Sequence, residues 1–307
     1  MSLLVVGSVA FDAVETPFGK VDRMLGGAAT YFSVAASYFT RVNLVGVVGD
    51  DFSSRETAVF RGRRIDITGL ERAPGQTFFW AGRYSPDMNE RTTLVTDLNV
   101  FAAFQPKLPP AYQDSQFVFL ANIDPTLQRS VLRQVRRKPK LVALDTMNYW
   151  IERTPAELQQ TLKHVQVLMI NDSETRQLAG ESNLLRAAAR IFRMGPRTLV
   201  VKRGEHGALL ITPGAGGNAS VFAVPGFLLP EVRDPTGAGD SFAGGFMGYL
   251  AKKGRVDAAT LRQAMVYGSV MGSFTVERFG LDRLRRLTAR EIRARAGHFW
   301  NLTRFRL

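Results

Sequence analysis

Cysteine is absent from the 307 residues, and histidine occurs three times, at His164, His206 and His298. No disulfide, thiolate metal site or cysteine nucleophile is therefore open to this chain, and the scattered histidines lack the spacing of a zinc site. No apolar run reaches the length needed to span a bilayer, and the strand-like run over 2–7 has no basic segment before it. Neither a membrane segment nor a secretory leader is expected, and the cytoplasm is the default compartment. The N-terminal run ends on a single glycine, Gly7, without the Gly-x-Gly-x-x-Gly spacing of a dinucleotide-binding turn, which argues against an oxidoreductase. Internal repeats, low-complexity tracts and obvious linkers are lacking too. Acidic residues are few beside basic ones, 27 against 40, for a net charge of +13.

What is present reads as an ordinary globular chain. Hydrophobic residues make up 45% and charged residues 22%, enough to bury a large core, and the length fits one α/β domain carrying an appendage. The excess positive charge calls for an anionic partner, either nucleotide phosphates or nucleic acid. It is spread over Arg61, Arg63 and Arg64, over Arg133, Arg136, Arg137, Lys138 and Lys140, and over 283–306. In the last stretch Leu284, Leu287, Ile292 and Phe299 recur at helical spacing among arginines, as in an amphipathic helix with a solvated face. No RNA- or DNA-binding motif accompanies the charge, so nucleic acid is not an expected partner.

The most informative stretch is Asp234-Pro235-Thr236-Gly237-Ala238-Gly239-Asp240-Ser241-Phe242. A strand-like run with turn residues, 224–232, leads into it, and a small-residue, helix-competent segment leads out. Gly237 and Gly239 remove two Cβ atoms where the chain turns into a helix, so an anion can come close to backbone N–H groups at the positive end of the helix dipole. Into that spot the chain places a carboxylate, Asp240. One reading is an N-capping aspartate. The other is a general base that takes a proton from an attacking hydroxyl, while the amides of Ala238, Gly239 and Asp240 stabilise a transferring phosphoryl group. Helix chemistry alone leaves both open.

The stretch resembles the Asp-Thr-x-Gly-Ala-Gly-Asp signature of the ribokinase-like (PfkB) carbohydrate kinases, with Pro235 in place of the threonine. The resemblance implies a doubly wound α/β fold with a small β-lid. It also implies Asp240 as catalytic base, with Gly237, Ala238 and Gly239 as the anion hole and Thr236, Gly237 and Gly239 at the nucleotide. The first motif of that family matches around Gly26-Gly27 and over 46–50, so the likeness spans the chain. By the same resemblance Asp12, Gly26 and Gly27 contact the acceptor. Tyr31 stands where relatives commonly have asparagine, exchanging an amide for a phenol. Pro235 is shared with some nucleoside-phosphorylating members, whereas the wording around Thr30-Tyr31-Phe32 is closer to inositol kinases.

The rest of the chain fits a βα rhythm. Runs at 3–8, 42–48, 117–121, 141–144, 165–170 and 198–202 read as strands. Runs at 28–39, 125–137, 155–164, 172–178, 183–194 and 266–278 read as helices, a polar helix is expected to begin at 49–51, and Phe279-Gly280 reads as a helix stop. Extended runs at 77–81 and 91–98, together with 14–25, break the rhythm and read as a small sheet covering a pocket. Its apolar side chains fall on both faces, so a second copy is expected to pack on it. Asn122, Asp145 and Asn171 fall at C-terminal strand ends, where ligands of such sheets bind.

Asn171 and Glu174 open a helix in the Asn-x-x-Glu arrangement that the resemblance assigns to Mg²⁺, held through water. The same spacing suits a capping box, and local sequence does not separate the two. Lys202, Gly204 and Gly207 resemble the turn beside the ATP phosphates, and Asp234 a K⁺ site that some relatives have. The expectation is a single domain over 1–307 with lid segments at about 13–25 and 75–104, binding ATP, Mg²⁺ and K⁺ and forming a homodimer through the lid. It would phosphorylate a sugar or small polyol, with a nucleoside or inositol as the alternative acceptor. A silent kinase-like binding protein is disfavoured because the Asp234, Gly237, Gly239 and Asp240 set is complete.

Overall fold

The computed structural model describes residues 1–303 apart from 215 and 217. Arg304 and Arg306, at the end of the basic 283–306 run, lie outside the described residues. Among the described residues nine strands form the main sheet, and their apolar residues occur at both parities because both sheet faces are covered. They are β1 (Ser2–Val6), β4 (Arg41–Val48), β5 (Ile65–Arg72), β8 (Phe117–Leu120), β9 (Leu141–Asp145), β10 (Val167–Asn171), β11 (Thr198–Lys202), β12 (Ala208–Pro213) and β13 (Ala219–Val224). The order is β13-β12-β11-β10-β9-β8-β1-β4-β5, parallel except for the antiparallel edge formed by β12 and β13. Leu3, Val5, Phe117 and Phe119 face one core, and Leu4, Val6, Val118 and Leu120 face the other.

Helices α1 (Ala28–Ala36), α8 (Ala238–Lys253), α9 (Ala258–Thr275) and α10 (Ala289–Thr303) cover the first face. The second is covered by α3 (Pro125–Gln134), α4 (Asn148–Arg153), α5 (Pro155–Leu162), α6 (Asp172–Ala179) and α7 (Leu184–Met194). Helix α2 (Ser54–Arg61) packs beside β5. No helix among the described residues is long and apolar enough to cross a membrane. From β1 the chain runs out to β4 and β5 on one side, then through β8 to β11 on the other. The crevice for ligands is thus expected outside the C-terminal ends of β1 and β8.

A separate sheet of order β3-β2-β6-β7 stands beside that crevice. It is built from β2 (Ala10–Thr16), β3 (Gly19–Gly26), β6 (Phe78–Tyr84) and β7 (Arg91–Asp97). All seven residues of β7 are exposed.

The alternation read from sequence holds, with differences at element ends. The run over 224–232 is not a strand beyond Val224, where Pro225, Gly226 and Pro230 deny the ladder its donors and stiffness. The helix expected at 49–51 begins instead at Ser54. Ser53 caps it in a box with Glu56, while Asp50 and Asp51 accept the Gly75 and Thr77 N–H groups at 2.9 and 2.8 Å. Helix α9 starts well before 266, at an Asp257 cap, and stops at Thr275. All four apolar residues of the last stretch are buried, but only Ile292 and Phe299 lie on helix α10. Leu284 starts a separate 3₁₀ turn over 284–286 and Leu287 follows it in extended backbone, so the expected helix begins only at Ala289.

Helices α1 and α8 fit against each other with no slack. A methyl on Gly244 would collide with the Phe32 carbonyl and come 2.8 Å from the Ala35 Cβ. Gly244→Ala is expected to cost about 1–3 kcal/mol through overpacking, read as a drop in the thermal midpoint. An unchanged midpoint would show that the two helices can separate without penalty.

Candidate active site

The start of α8 is held by its neighbours. Asp234 is buried, and its two carboxylate oxygens accept the N–H groups of Thr236 and Gly280, each at 2.9 Å. Gly237 caps the helix at φ 73°, a left-handed conformation, with no side chain bonded to the first-turn amides. A Cβ there would also collide with the ring of Tyr31, so only glycine fits on both counts. The Ala238 N–H is committed to the Pro235 carbonyl at 3.2 Å, which leaves the Gly239 and Asp240 amides as the donors best placed for an anion.

Asp240 follows immediately. Burial, and then the charge of Asp145, push its carboxyl up to about 6 against the pull of Lys202 and Arg91. A carboxylate so tuned is ionised at neutral pH yet basic enough to accept a proton.

Three strand ends converge on the same place. Lys202 at the end of β11 bonds Asp145 at the end of β9, with Nζ 2.7 Å from Oδ2. Burial opposes the charge of Lys202, but Asp145 and Glu174 outweigh it and hold the ammonium above its usual value. The ammonium also lies 3.3 Å from where a Cβ of Gly239 would be, beside the free amides.

From the end of β10, the Asn171 side chain accepts the Glu174 N–H at 2.7 Å and Glu174 accepts the Asn171 N–H at 2.9 Å. The capping box is thus formed. Glu174 is nevertheless pushed up to about 7, chiefly by burial and partly by Asp145, so it is a strained acid as well as a cap. No three acidic or histidine side chains among the described residues are grouped to hold a metal ion by themselves.

Asp12, in β2, is buried and pushed up to about 7 by burial, with Asp234 and Asp240 adding to the effect and the Gly27 N–H opposing it. The paired glycines make room for it: a Cβ on Gly26 would collide with its carboxylate. Gly27 sits at φ 90°, and a Cβ there would come 2.5 Å from the Ser8 carbonyl oxygen, so no larger residue fits. Tyr31 is fully buried under Gly237, and its hydroxyl has no hydrogen-bond partner among the described residues. Burial, and then Asp234 and Asp12, raise its pKa.

The structure therefore brings Asp12, Gly26, Gly27, Tyr31, Asn171, Glu174, Lys202, Asp234, Thr236, Gly237, Ala238, Gly239 and Asp240 to one crevice. Gly204 and Gly207 lie further out, on the turn joining β11 to β12. That turn borders a cavity of about 490 Å³ lined by Arg203, Glu205, Pro225 and Leu228.

Two participants escape the sequence reading. Asp145 stands out there only as a strand-end residue. Arg91 begins β7, forms no ion pair among the described residues, and lies over the Trp80 ring at 5.2 Å. Its charge lowers the pKa values of Asp12, Glu174 and Asp240, so the small sheet brings a positive charge within electrostatic reach of the crevice. The small sheet is also tied to the α8 turn, because Thr236 and Tyr84 join hydroxyls at 3.1 Å.

A helix start with free amides, an adjacent tuned acid and a lysine at a strand end is an arrangement for phosphoryl transfer, and residues 2–285 match the model of the pfkB family of carbohydrate kinases. The chain belongs to that family. It is a phosphotransferase acting on the hydroxyl of a sugar or nucleoside. A cytidine kinase of Thermococcus kodakarensis is 28% identical over 250 residues, covering 80% of this chain and 87% of that protein. Inositol 3-kinase of Arabidopsis thaliana is 26% identical over 288 residues, covering 91% and 74%. Among solved structures, aminoimidazole riboside kinase from Salmonella enterica, complexed with aminoimidazole riboside and an ATP analogue, superposes with a TM-score of 0.76. It is 22% identical and covers 96% of this chain and 100% of that one. The likeness at that identity concerns the fold.

Proposed function

We propose that this kinase transfers the γ-phosphoryl group of ATP to a hydroxyl of a nucleoside, with Asp240 as the base. The observation that carries the transfer is the meeting of Asp240, the Gly239 and Asp240 amides and the Lys202 ammonium at one helix start. Asp12 orients the acceptor. The amides and Lys202 bind the charge that develops on the transferring group, and Arg91 adds a cation from the small sheet, which acts as a lid. Gly204 and Gly207 shape the nucleotide side, with the neighbouring cavity taking the base of ATP. Closure of the lid excludes water from the reacting groups.

The acids Glu174 and Asp145, both raised in pKa chiefly by burial, fit Mg²⁺ held through water with Asn171 beside them. The ion would neutralise phosphate charge when bound. Asp234 uses two of its roughly four acceptor directions on backbone donors, so it retains capacity for K⁺. The whole chain acts as one domain and, as a user of ATP, works in the cytoplasm. The exposed β7 edge, with Leu94 and Val95 outward and Leu98 just beyond, suits a homodimer through the lid.

The nucleoside reading rests on the lid's inner face. Trp80 pairs with Asp12 in register, and its indole lies across Gly82, where a Cβ would collide with it. A flat aromatic surface beside the acceptor carboxylate stacks a nucleobase better than it serves a free sugar. ADP release with Mg²⁺-ATP across hexoses, pentoses, inositols and nucleosides tests this directly. Nucleosides should respond most strongly. Trp80→Ala should raise the nucleoside KM roughly tenfold with the ATP KM unchanged. A pentose or inositol outperforming every nucleoside, with Trp80→Ala silent, would refute the nucleoside assignment and leave the transfer chemistry standing.

A further inference from the structure

At the opposite end of the main sheet lies a groove of about 1030 Å³. It is lined by Met1, Phe39, Thr40, Ile65, Ile67 and Ala251, and by the charged side chains of Arg41, Arg61, Arg63, Arg64, Asp66 and Lys252. The residues come from the starts of β4 and β5, the ends of α2 and α8, and the turn after α1. Strand β4 separates them from the crevice by eight residues, roughly 25 Å at about 3.3 Å per residue.

The charges are unbalanced. The single acid, Asp66, is already engaged by Arg41 at 2.8 Å, by the Tyr112 hydroxyl at 2.8 Å and by the Thr68 hydroxyl at 2.7 Å. Those donors hold its carboxyl well below the usual range despite partial burial. Arg63 donates to the Tyr38 hydroxyl and the Arg285 carbonyl, neither of which carries a charge. Arg61, Arg64 and Lys252 form no ion pair among the described residues. Part of this set answers the negative ends of α2 and α8, where Arg61 and Lys252 stand. Arg63 and Arg64 lie beyond the end of α2, and a concave wall of one sign focuses the field into the groove.

We infer that this groove is a second anion site, which takes a small polyphosphorylated ligand of the nucleotide class. Guanidinium groups at Arg61, Arg63 and Arg64 match phosphate oxygens, and Lys252 supplies a point charge across the groove. The edges of Ile65, Ile67 and Phe39 give the organic part of the ligand an apolar floor. The groove lies at the far end of β4 from Asp240, so a ligand there and ATP at the active site can be bound at the same time.

The test uses the full chain with a non-hydrolysable ATP analogue saturating the active site, and inorganic tripolyphosphate as the probe. Amide hydrogen exchange is followed over 37–42, 61–68 and 250–253. Saturable protection of these segments is expected, with affinity falling at least tenfold in Arg61→Gln/Arg64→Gln/Lys252→Gln. Arg61→Lys/Arg64→Lys, which keeps the charge and loses the fork, should fall between wild type and the triple variant. The Gln changes lie on exposed side chains and remove repulsion, so the triple variant should fold with ATP turnover unchanged. Protection confined to the active site, or equal in wild type and triple variant, overturns the proposal. So does displacement of tripolyphosphate by a 20-nucleotide single-stranded RNA that binds more tightly, which would make the face a nucleic-acid surface instead.

Discussion

Asp240→Asn is expected to lower turnover by roughly 10²–10⁴-fold while ATP affinity stays within a few-fold. The amide keeps the shape of the carboxylate and leaves the Gly239 N–H and Lys202 in place, so the anion site survives. What it loses is the ability to accept a proton from the attacking hydroxyl. In the wild type, Asp240 titrates at about 6, so kcat/KM should fall as the pH drops through about 6, where the base becomes protonated. Asn has no such group, and the residual rate should be flat through that range.

Stability should move the other way. Because the folded-state pKa lies above the ordinary 3.8, the native state holds more protons than the unfolded chain between these values, and ionisation at neutral pH works against folding. Removing the charge should therefore stabilise the free protein by about 1–2 kcal/mol at pH 7, allowing for partial solvent screening. A variant with near wild-type turnover would remove Asp240 from the role of base. A variant that is both inactive and unable to bind ATP would show that the carboxylate had been organising the site.

The parts of this site legible in sequence are those whose chemistry is contiguous. Glycines, a helix start and Asp240 sit within a few residues, and local rules about Cβ atoms and helix dipoles suffice to read them. Asp145 carries no such local mark. Its meaning comes from Lys202, 57 residues away, which the order β9-β10-β11 brings to the same sheet end. Arg91 is likewise an ordinary strand residue until the small sheet is set beside the crevice. Asn171 and Glu174 allow two readings from sequence, and the folded chain forms the cap while keeping Glu174 buried and raised, so neither excludes the other. The βα alternation is readable from apolar runs, whereas the end of β13 depends on Pro225, whose missing donor outweighs the extended look of the next few residues.

Lys202 gives the second large effect, because it answers three carboxylates at once. Its Nζ bonds Asp145, and its charge lowers the pKa values of Glu174 and Asp240. Lys202→Met keeps much of the aliphatic volume and removes the cation. Asp145, whose side chain is 7% exposed, then loses the one charged partner it has among the described residues, and breaking a buried pair on one side costs about 3 kcal/mol, to be read from denaturant unfolding. Without Lys202 the proton affinity of Asp240 rises further, so the acid limb of kcat/KM should move to higher pH as well as the rate falling by more than about 10²-fold through loss of phosphate stabilisation. The double variant Lys202→Met/Asp145→Asn separates the two roles. Neutralising both partners should restore most of the stability, since no unpaired buried charge remains, without restoring the rate. If the double variant regains activity along with stability, Lys202 serves the fold alone and the phosphoryl group is stabilised by the α8 amides and Arg91.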